Sequence, residues 1–333
     1  MTEIIPGIYR LEIPIPNNPL GNTNVYLLKG DDGYLLIDAG WNNDKALNSL
    51  LEQLDEIGIR PDDISQIVIT HAHADHYGLV GRLKEHTEVD VILHHIEADM
   101  LASRTESMQE FMSRTEEWFN SNGVPPDAFP TARMTPSERR RSNNAAEPDT
   151  TLRGDEIIST GIFNLEVIWT PGHSPGHICL YEKNHRILFT GDHVLPAITP
   201  NISLQPHAEN NPLGDFLNSM SSLRQLDVET VLPAHEHVFY DLCERIDEII
   251  EHHKQRSNEI TATIESGQKT AYRISAEITW MPDFGGYSFA DLAPWDRRMA
   301  ILETLAHLKA MEVEKIVAKA TEDGIIYYRY NKQ

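Results

Sequence analysis

The sequence predicts an α/β (α+β) fold in the form of a four-layer αββα sandwich, and two observations lead to this prediction. Strand and helix signals alternate through the first 95 residues, and a strand-rich pattern resumes at residue 151. The hairpin pattern of residues 25–40 also has a loose counterpart at 178–192. Two similar halves, each with strands that face helices, favour two sheets packed between helical layers.

In the first half, short apolar runs alternate with turn residues. The Gly- and Asp-rich segment 29–33 predicts a turn between two strands. Residues 43–57 carry apolar side chains at helical spacing, and Gly58 lies just beyond them, which predicts a helix that ends at a glycine. The predicted strands are Ile8–Ile13, Val25–Leu28, Tyr34–Ile37, Gln66–Thr70 and Val89–His94.

Residues 97–150 predict an insertion between the two halves. Residues 97–121 indicate a helical stretch rich in Met and aromatic side chains, which ends at Asn122-Gly123. Such a stripe is interpreted as core, with a roof over a binding site as the alternative. Residues 127–150 predict a long exposed loop, and the arginines in it are interpreted as solvated, although they are also suited to contact an anionic substrate. These arginines are Arg133, Arg139, Arg140 and Arg141.

The second half ends in a long amphipathic helix, predicted over residues 241–266. Its strands are predicted at Phe163–Trp169, Ile178–Tyr181 and Ile187–Phe189. Beyond Gly267 the sequence predicts two helices, Ile274–Ile278 and Asp296–Met311, the second with Asp296 as its N-cap. A hairpin of Lys315–Ala320 and Ile325–Tyr330 follows.

Helices followed by a two-stranded hairpin resemble a winged-helix module. The predicted domains are therefore a catalytic domain over residues 1–267 and a winged-helix-like domain over residues 268–333. Basic and acidic residues balance in the last 44 positions, which favours a packing or dimer-forming role for this module over nucleic-acid binding.

The composition limits the classes of function. The 333 residues carry a formal net charge of −23, which argues against broad nucleic-acid binding and leaves room only for a local basic patch. Two cysteines, Cys179 and Cys243, rule out a disulfide framework. The N-terminus has no signal-peptide pattern, and no apolar stretch approaches the roughly 20 residues of a membrane span. These features predict a soluble, cytoplasmic protein with no membrane partner.

The segment from His71 to His76 carries the strongest chemical signal. Histidines two apart in an extended chain point the same way, so His71 and His73 can hold one ion. After a turn, Asp75 and His76 can reach a neighbouring position. A surface histidine tract is the alternative, but it fits poorly with the alanines between these residues and with the buried strand before them.

Three further segments place a metal-binding residue type just after a predicted strand. They are the loop 169–177 with His173, the turn 189–193 with Asp192, and the segment 231–235 with His235. Each alone has an ordinary explanation, such as a turn aspartate or a hydrogen-bonded histidine. Together with the first segment, in this order, they predict a metal centre.

This order of segments resembles the metallo-β-lactamase superfamily, in which it is the identifying pattern, and the resemblance covers about residues 5–240. The resemblance implies a first metal ion bound by His71, His73 and His173, a second bound by Asp75, His76 and His235, and Asp192 as the bridge between them. It also implies two divalent ions with a bridging hydroxide that attacks the substrate.

The ligand types admit several metals. All seven ligands offer nitrogen or oxygen, so zinc, iron and manganese fit, and the habit of the family favours Zn²⁺. The oxygen-reducing di-iron members usually carry a glutamate at the place of His73, so the histidine points to hydrolysis.

Further residues near the predicted ligands are candidates for catalysis or support. Asp75 is predicted to accept the proton that the attacking water releases. His177 and His193 are predicted to orient the substrate, to steady a loop or to line the cleft. Asp38 follows a buried strand, and the resemblance implies that it supports the ligand loop, with a simple turn residue as the alternative. His94 and His95 are interpreted as structural.

The resemblance is closest to glyoxalase II and its relatives, so the leading hypothesis is hydrolysis of an acyl thioester or ester, a small-molecule substrate. No glutathione-binding pattern is evident, which argues against glutathione as the acyl carrier. Alternatives are endoribonuclease or phosphodiesterase activity, lactone or β-lactam opening, an iron dioxygenase acting on persulfides, and a catalytically silent metal-binding module. The acidic surface and the small C-terminal module permit a homodimer.

Overall fold

A computed structural model provides the coordinates. It describes residues 1–16, 18–85, 87–103, 108–126, 128–129, 146–206, 210–281 and 285–331. For residues 108–112 it describes the backbone alone. The chain forms two compact units. The first comprises Met1–Arg104, Met134–Pro200 and Ser219–Ile246, and the second comprises Thr105–Arg133, Asn201–Asn218 and Asp247–Gln333. The predicted boundary near residue 268 falls inside the second unit, and it stays a prediction.

The first unit contains a seven-stranded and a five-stranded sheet. The strands of the first, in sheet order, are β1 (Thr2–Ile5), β2 (Ile8–Pro14), β3 (Asn22–Gly30), β4 (Gly33–Ile37), β5 (Ile64–Val68), β6 (Asp90–His94) and β7 (Thr150–Leu152). Those of the second, with β12 and β8 at its edges, are β8 (Ile157–Ser159), β9 (Asn164–Trp169), β10 (Ile178–Glu182), β11 (Ile187–Gly191) and β12 (Thr230–Pro233). Pairing is parallel from β4 to β7 and between β11 and β12, and antiparallel elsewhere.

Apolar side chains from the two sheets form one shared core. Leu28 and Val68 of the first sheet belong to the same buried cluster as Leu165 and Phe189 of the second. A second cluster joins the other face of the seven-stranded sheet to the helices that cover it. The first unit therefore has helix, sheet and sheet in successive layers, and the predicted α/β class is confirmed.

The described helices are α1 (Asp44–Glu56), α2 (Ala74–Tyr77), α3 (Val80–Lys84), α4 (His95–Ala102), α5 (Met108–Ser121), α6 (Pro212–Leu223), α7 (Leu242–Ile264), α8 (Ala271–Glu277) and α9 (Pro294–Val313), with short 3₁₀ turns at Pro61–Asp63 and Phe289–Asp291. Helix α1 begins where the sequence predicts, because the Asn43 side chain accepts a hydrogen bond from the Ala46 N–H at 2.8 Å. Within the described ranges, none of the helices combines the length and apolar character that crossing a bilayer requires.

The described residues of the second unit form helices and one hairpin. Helices α5, α8 and α9 share a buried apolar cluster with β13 (Val317–Glu322) and β14 (Ile325–Tyr330). The hairpin is confirmed, and its turn is formed by Asp323 and Gly324, both with positive φ. The winged-helix assignment of this region stays a prediction.

The helical stretch predicted over residues 97–121 corresponds to two helices, α4, which ends at Ala102, and α5, which starts at Met108. One detail of the helix predictions is wrong. The N-cap of α9 is Ala293, with Pro294 as the first helical residue and Asp296 in the first turn. Proline is favoured at that first position because its missing N–H would have no helical partner. The predicted arginine loop, including Arg133, Arg139, Arg140 and Arg141, lies outside the described residues.

One edge of the two sheets gathers the chemically interesting segments. Where neighbouring strands run parallel, their carboxyl ends meet at the same edge, and the chain continues from there into loops. The residues that follow the strands at this edge are Asp38 after β4, His71 to His76 after β5, Glu97 after β6, His173 after β9, Asp192 after β11 and His235 after β12.

Candidate metal centre

The structure brings all seven predicted ligands together in two groups. The first group contains His71, His73, His173 and Asp192, and the second contains Asp75, His76 and His235. Within each group, one ligand atom of every residue lies within 4.8 Å of the others. Their assignment as metal ligands is therefore compatible with the geometry.

In the first group three imidazoles converge on one point. The Nδ1 atom of His73 lies 2.8 Å from Nε2 of His71 and 3.0 Å from Nε2 of His173. The Oδ2 atom of Asp192 lies 3.5 Å from the same nitrogen of His173. Three nitrogens and one carboxylate oxygen around a common centre are a ligand set that suits a four-coordinate divalent cation such as Zn²⁺.

In the second group, the Nε2 atoms of His76 and His235 face carboxylate oxygens of both Asp75 and Asp192. The Nε2 atom of His235 is 3.5 Å from Asp75 Oδ2 and 3.2 Å from Asp192 Oδ1. That of His76 is 3.9 Å from Asp75 Oδ1 and 3.4 Å from Asp192 Oδ2. Asp192 therefore touches both groups, as expected of a residue shared by two ions.

The unsatisfied atoms of the site also fit a cation. In the described part of the chain, Nε2 of His76, Nε2 of His235 and Oδ1 of Asp192 are buried without a hydrogen-bond partner. Buried polar atoms without partners are costly, and a divalent ion would satisfy all three.

The other ring nitrogen of three of these histidines is held by the protein. Nδ1 of His76 lies 2.8 Å from Asp38 Oδ2, and Nδ1 of His235 lies 2.9 Å from the carbonyl oxygen of Asn22. Nδ1 of His71 lies 3.1 Å from Oγ1 of Thr70. Such contacts fix the tautomer and the ring orientation of a metal-binding histidine.

Asp38 supports the segment from His71 to His76 through hydrogen bonds. Its carboxylate accepts hydrogen bonds from the Thr70 backbone N–H at 2.8 Å and from Thr70 Oγ1, in addition to the contact with His76. The residue is buried and adopts a left-handed backbone with φ of 61°, which aspartate tolerates better than most residues. The supporting role is therefore favoured over that of a turn residue.

Charge distribution sets opposite pKa shifts in the centre. Burial, together with the neighbouring His76, holds the pKa of His71 well below its usual value. Burial acts in the same direction on His76 and His235, but Asp192 and Asp38 reverse it at His76, and Asp192 raises the pKa of His235 to about 10. Burial would raise the pKa of Asp192, yet the two histidines keep it well below its usual value.

The three predicted catalytic residues occupy different positions. Asp75 is partly exposed, and although burial would raise its pKa, the neighbouring imidazoles of His76 and His235 keep it below the usual value. It is therefore an ionised base at neutral pH. His177 and His193 are fully buried, with ring centroids 5.4 Å apart. Burial favours positioning over direct substrate contact, and their roles stay predictions.

His177 holds the turn that carries Asp192. Its Nε2 accepts the Asp192 backbone N–H at 3.2 Å, so its proton is on Nδ1, which donates to Thr170 Oγ1 at 2.8 Å. Gly191 has φ of 51°, and a Cβ there would lie 2.6 Å from His177 Nε2. Only glycine lets the chain pass this close to the imidazole.

Sequence reasoning missed two contacts at this edge, those of Glu97 and of the Asn22 carbonyl oxygen. Glu97 is buried in the first turn of α4 and accepts hydrogen bonds from both ligand loops. The one available signal was a carboxylate just after a buried strand. His94 is also buried, and its Nε2 contacts the carbonyl oxygen of Arg153 at 3.2 Å, in line with a structural role.

Comparison with known proteins identifies the family. Residues 18–235 match the model of the metallo-β-lactamase superfamily. The chain belongs to the metallo-β-lactamase superfamily. It is 26% identical over 334 residues to the probable metallo-hydrolase YqjP of Bacillus subtilis, with 98% of each chain covered. It is 30% identical over 229 residues to the acyl-coenzyme A thioesterase MBLAC2 of Homo sapiens, covering 65% of this chain and 74% of that protein.

Solved structures agree with this membership. A metallo-β-lactamase family protein from Thermus thermophilus superposes with a TM-score of 0.81 at 29% identity, covering 98% of this chain and 100% of the other. A β-lactamase domain protein from Burkholderia ambifaria gives 0.82 at 24% identity, with 99% and 93% covered. The predicted metallo-β-lactamase fold is therefore confirmed, and the protein is a metal-dependent hydrolase.

Proposed function

We propose that this metallo-β-lactamase superfamily member hydrolyses acyl thioesters, with acyl-coenzyme A esters as the first class to test. The observation that carries the proposal is the arrangement of six ligands around a seventh, Asp192, in a chain similar to an acyl-coenzyme A thioesterase. A small-molecule substrate also agrees with the net charge of −23, which disfavours nucleic acid.

The proposed cofactors are two Zn²⁺ ions. His71, His73 and His173 would hold one ion, Asp75, His76 and His235 the other, and Asp192 both. When bound, two such ions would lower the pKa of a coordinated water and would polarise the carbonyl oxygen of an acyl group. Iron and manganese remain compatible with the same nitrogen and oxygen ligands.

The protein's own residues then complete the reaction. Asp75 accepts a proton from the attacking water, since its carboxylate is ionised and partly exposed. The water oxygen forms a bond to the acyl carbon, and the bond between that carbon and sulfur breaks. The thiolate leaves and takes the proton that Asp75 had accepted, which restores the carboxylate of Asp75.

The side chains that could offer a covalent route are poorly suited to it. Burial raises the pKa of the Cys179 thiol to about 12, so a thiolate is scarce at neutral pH. The Ser174 hydroxyl lies in the histidine-rich loop, but it donates its hydrogen bond to the Glu97 carboxylate. Both observations favour direct attack by water.

The test is thiol release from a panel of acyl thioesters of different chain length by zinc-reconstituted protein. His235→Ala removes a ligand and should lower kcat/KM by more than about 100-fold, because even residues that only support a ligand cost 10–100-fold. His237→Ala is the matched control, since His237 is an exposed histidine two residues away and outside both ligand groups. It should retain the wild-type rate.

Other substrates separate the alternatives. The same protein is assayed with a structured RNA, a lactone and a β-lactam, each with the His235→Ala control. RNA cleavage that this variant loses, without thioester turnover, would replace the proposal with a phosphodiesterase and give the C-terminal region a binding role. Ring opening without thioester turnover would move the substrate class to lactones or lactams.

A further inference from the structure

Glu97 is a buried carboxylate that touches both histidine-bearing loops of the first ligand group. Its Oε2 accepts the Ala72 backbone N–H at 2.9 Å. Its Oε1 accepts the Gly176 backbone N–H at 2.8 Å and a hydrogen bond from the Ser174 hydroxyl. Its exposure is 1%, and among the described residues no lysine or arginine forms an ion pair with it.

The three donors lie next to metal-binding histidines. Ala72 separates His71 from His73, whose ring nitrogens must reach the same ion. Ser174 directly follows His173, and Gly176 lies further along the same loop. The side chain of Glu97 therefore fixes, through two oxygens of one rigid group, the separation between segments about a hundred residues apart in sequence.

The loop is shaped for this approach. A Cβ on Gly176 would lie 2.7 Å from the Glu97 Cγ and 2.9 Å from its backbone nitrogen. Both distances are shorter than the non-bonded contacts that a Cβ atom makes in proteins. Only glycine therefore lets the loop approach Glu97 this closely. A buried carboxylate is costly unless several donors satisfy it, and here the donors are the ligand loops themselves.

We propose that Glu97 is the positioning residue that sets the affinity of the His71, His73 and His173 site for its ion. It contacts neither the ion nor the substrate, and it acts by holding the two loops at the spacing that three converging nitrogens need. The inference rests on the proposed metal centre. It concerns one half of that centre, since the contacts above do not extend to Asp75, His76 or His235.

The test measures stepwise Zn²⁺ affinity by competition with a colorimetric chelator, in two backgrounds. His235→Ala cripples the second group, and His73→Ala cripples the first. Glu97→Gln keeps the shape of the side chain but turns one acceptor into a donor, so it opposes one of the two loops. In the His235→Ala background it should weaken the remaining Zn²⁺ by 10–100-fold, the range known for residues that orient metal ligands.

In the His73→Ala background, Glu97→Gln should change the remaining Zn²⁺ affinity by less than about twofold. Deviations of that size are expected when two substitutions act independently. Glu182→Gln is the matched control, because Glu182 is a buried carboxylate at the opposite end of β10 that accepts hydrogen bonds from His185. It should change neither affinity. Equal weakening in both backgrounds would reveal a merely structural role, and weakening in neither would remove the role; either result overturns the proposal.

A milder variant covers the case in which Glu97→Gln does not fold. Ser174→Ala removes one of the three hydrogen bonds and should weaken only the first site, by a smaller factor. No weakening of that site would overturn the proposal. Because Zn²⁺ binding is measured without substrate, a failure of the thioester assay and a failure of this inference are separate results.

Discussion

Each of the two units buries a cluster of histidines, and the clusters differ in what surrounds them. In the first unit, the Nε2 atoms of His76 and His235 face carboxylate oxygens and have no hydrogen-bond partner among the described residues. In the second unit, Nε2 of His253 also lacks such a partner, but Nδ1 of His253 lies 3.2 Å from Nε2 of His307, whose Nδ1 contacts the Ser257 hydroxyl at 3.0 Å. The second cluster is joined by hydrogen bonds between neutral groups.

The pKa values diverge accordingly. Burial, aided by nearby His252 and Arg256, lowers the pKa of His253 to about 3. In the first unit, carboxylates outweigh burial and raise the pKa of His235 to about 10. Burial beside positively charged groups makes histidine a neutral core residue, whereas histidine among carboxylates forms a site with the charge and geometry for a cation.

The largest effect is expected from Asp192→Asn, which keeps the shape of the shared ligand and removes its charge. The loss of several kcal/mol of stabilisation should lower kcat/KM by about 10³-fold. Metal content should fall at the same time, measured by elemental analysis of the dialysed protein. His253→Asn, in the second unit, should keep the full metal content. A fully loaded Asp192→Asn variant with a near-wild-type rate would contradict the assignment of Asp192 as the shared ligand.

Removal of the metal should lower the free energy of unfolding by an amount comparable to the stabilisation that Asp192→Asn loses. A ligand present at about 1,000 times its Kd adds about 4 kcal/mol to the free energy of unfolding. Chelation should therefore lower the unfolding midpoint in urea, and hydrogen exchange should rise in residues 70–77, 171–177 and 191–193. His307→Asn should show the same chelation effect as the wild type. An unfolding midpoint that is the same with and without the chelator would contradict the presence of a cation in the first cluster.

A smaller loss is expected from Asp38→Asn. The carboxylate of Asp38 accepts from His76 Nδ1 and from Thr70, and an amide nitrogen in one of these places would oppose a donor. Zn²⁺ affinity should fall by 10–100-fold, as for other residues that orient ligands. Asp63→Asn, which alters a partly exposed aspartate paired with Arg60, is the control and should leave the affinity unchanged. The test fails if the two variants bind Zn²⁺ equally well.

Local signals explain which parts of the fold and of the site could be predicted. The seven ligands follow strands, and because such strand ends meet at one edge, their residue types predict a shared centre. The Asp323-Gly324 turn likewise predicts the final hairpin from a few residues. Asn43 caps its helix through a contact only three residues away.

The missed features depend on contacts that are distant in sequence. Glu97 meets its partners 25 and 79 residues away, and His235 meets the Asn22 carbonyl oxygen 213 residues away. No local pattern distinguishes these residues from ordinary surface or turn residues. The predicted N-cap of α9, Asp296, was wrong because the helix begins two residues earlier, at Pro294. Proline fixes its own φ at a helical value and so favours the start of the helix at that residue.

The smallest predicted effect is a pH dependence of stability that comes from the second cluster. The folded-state pKa values of His253 and His307 are below the ordinary histidine value of about 6.5. Between the two values the unfolded chain binds more protons than the folded one, so stability is present above pH 6.5 and is lost as the pH falls. Each histidine contributes a slope of at most about 1.4 kcal/mol per pH unit.

The difference between wild type and a His253→Gln variant isolates this slope from acid release of metal, because both proteins keep the same metal centre. Urea unfolding from pH 7.5 down to 5.5 should give a flatter dependence for His253→Gln, whatever its absolute stability. Parallel lines for the two proteins would mean that His253 has the same pKa in the folded and the unfolded chain, so that it is protonated in the folded state below about pH 6.5. The second cluster would then carry a buried charge, and the contrast with the carboxylate-rich centre would disappear.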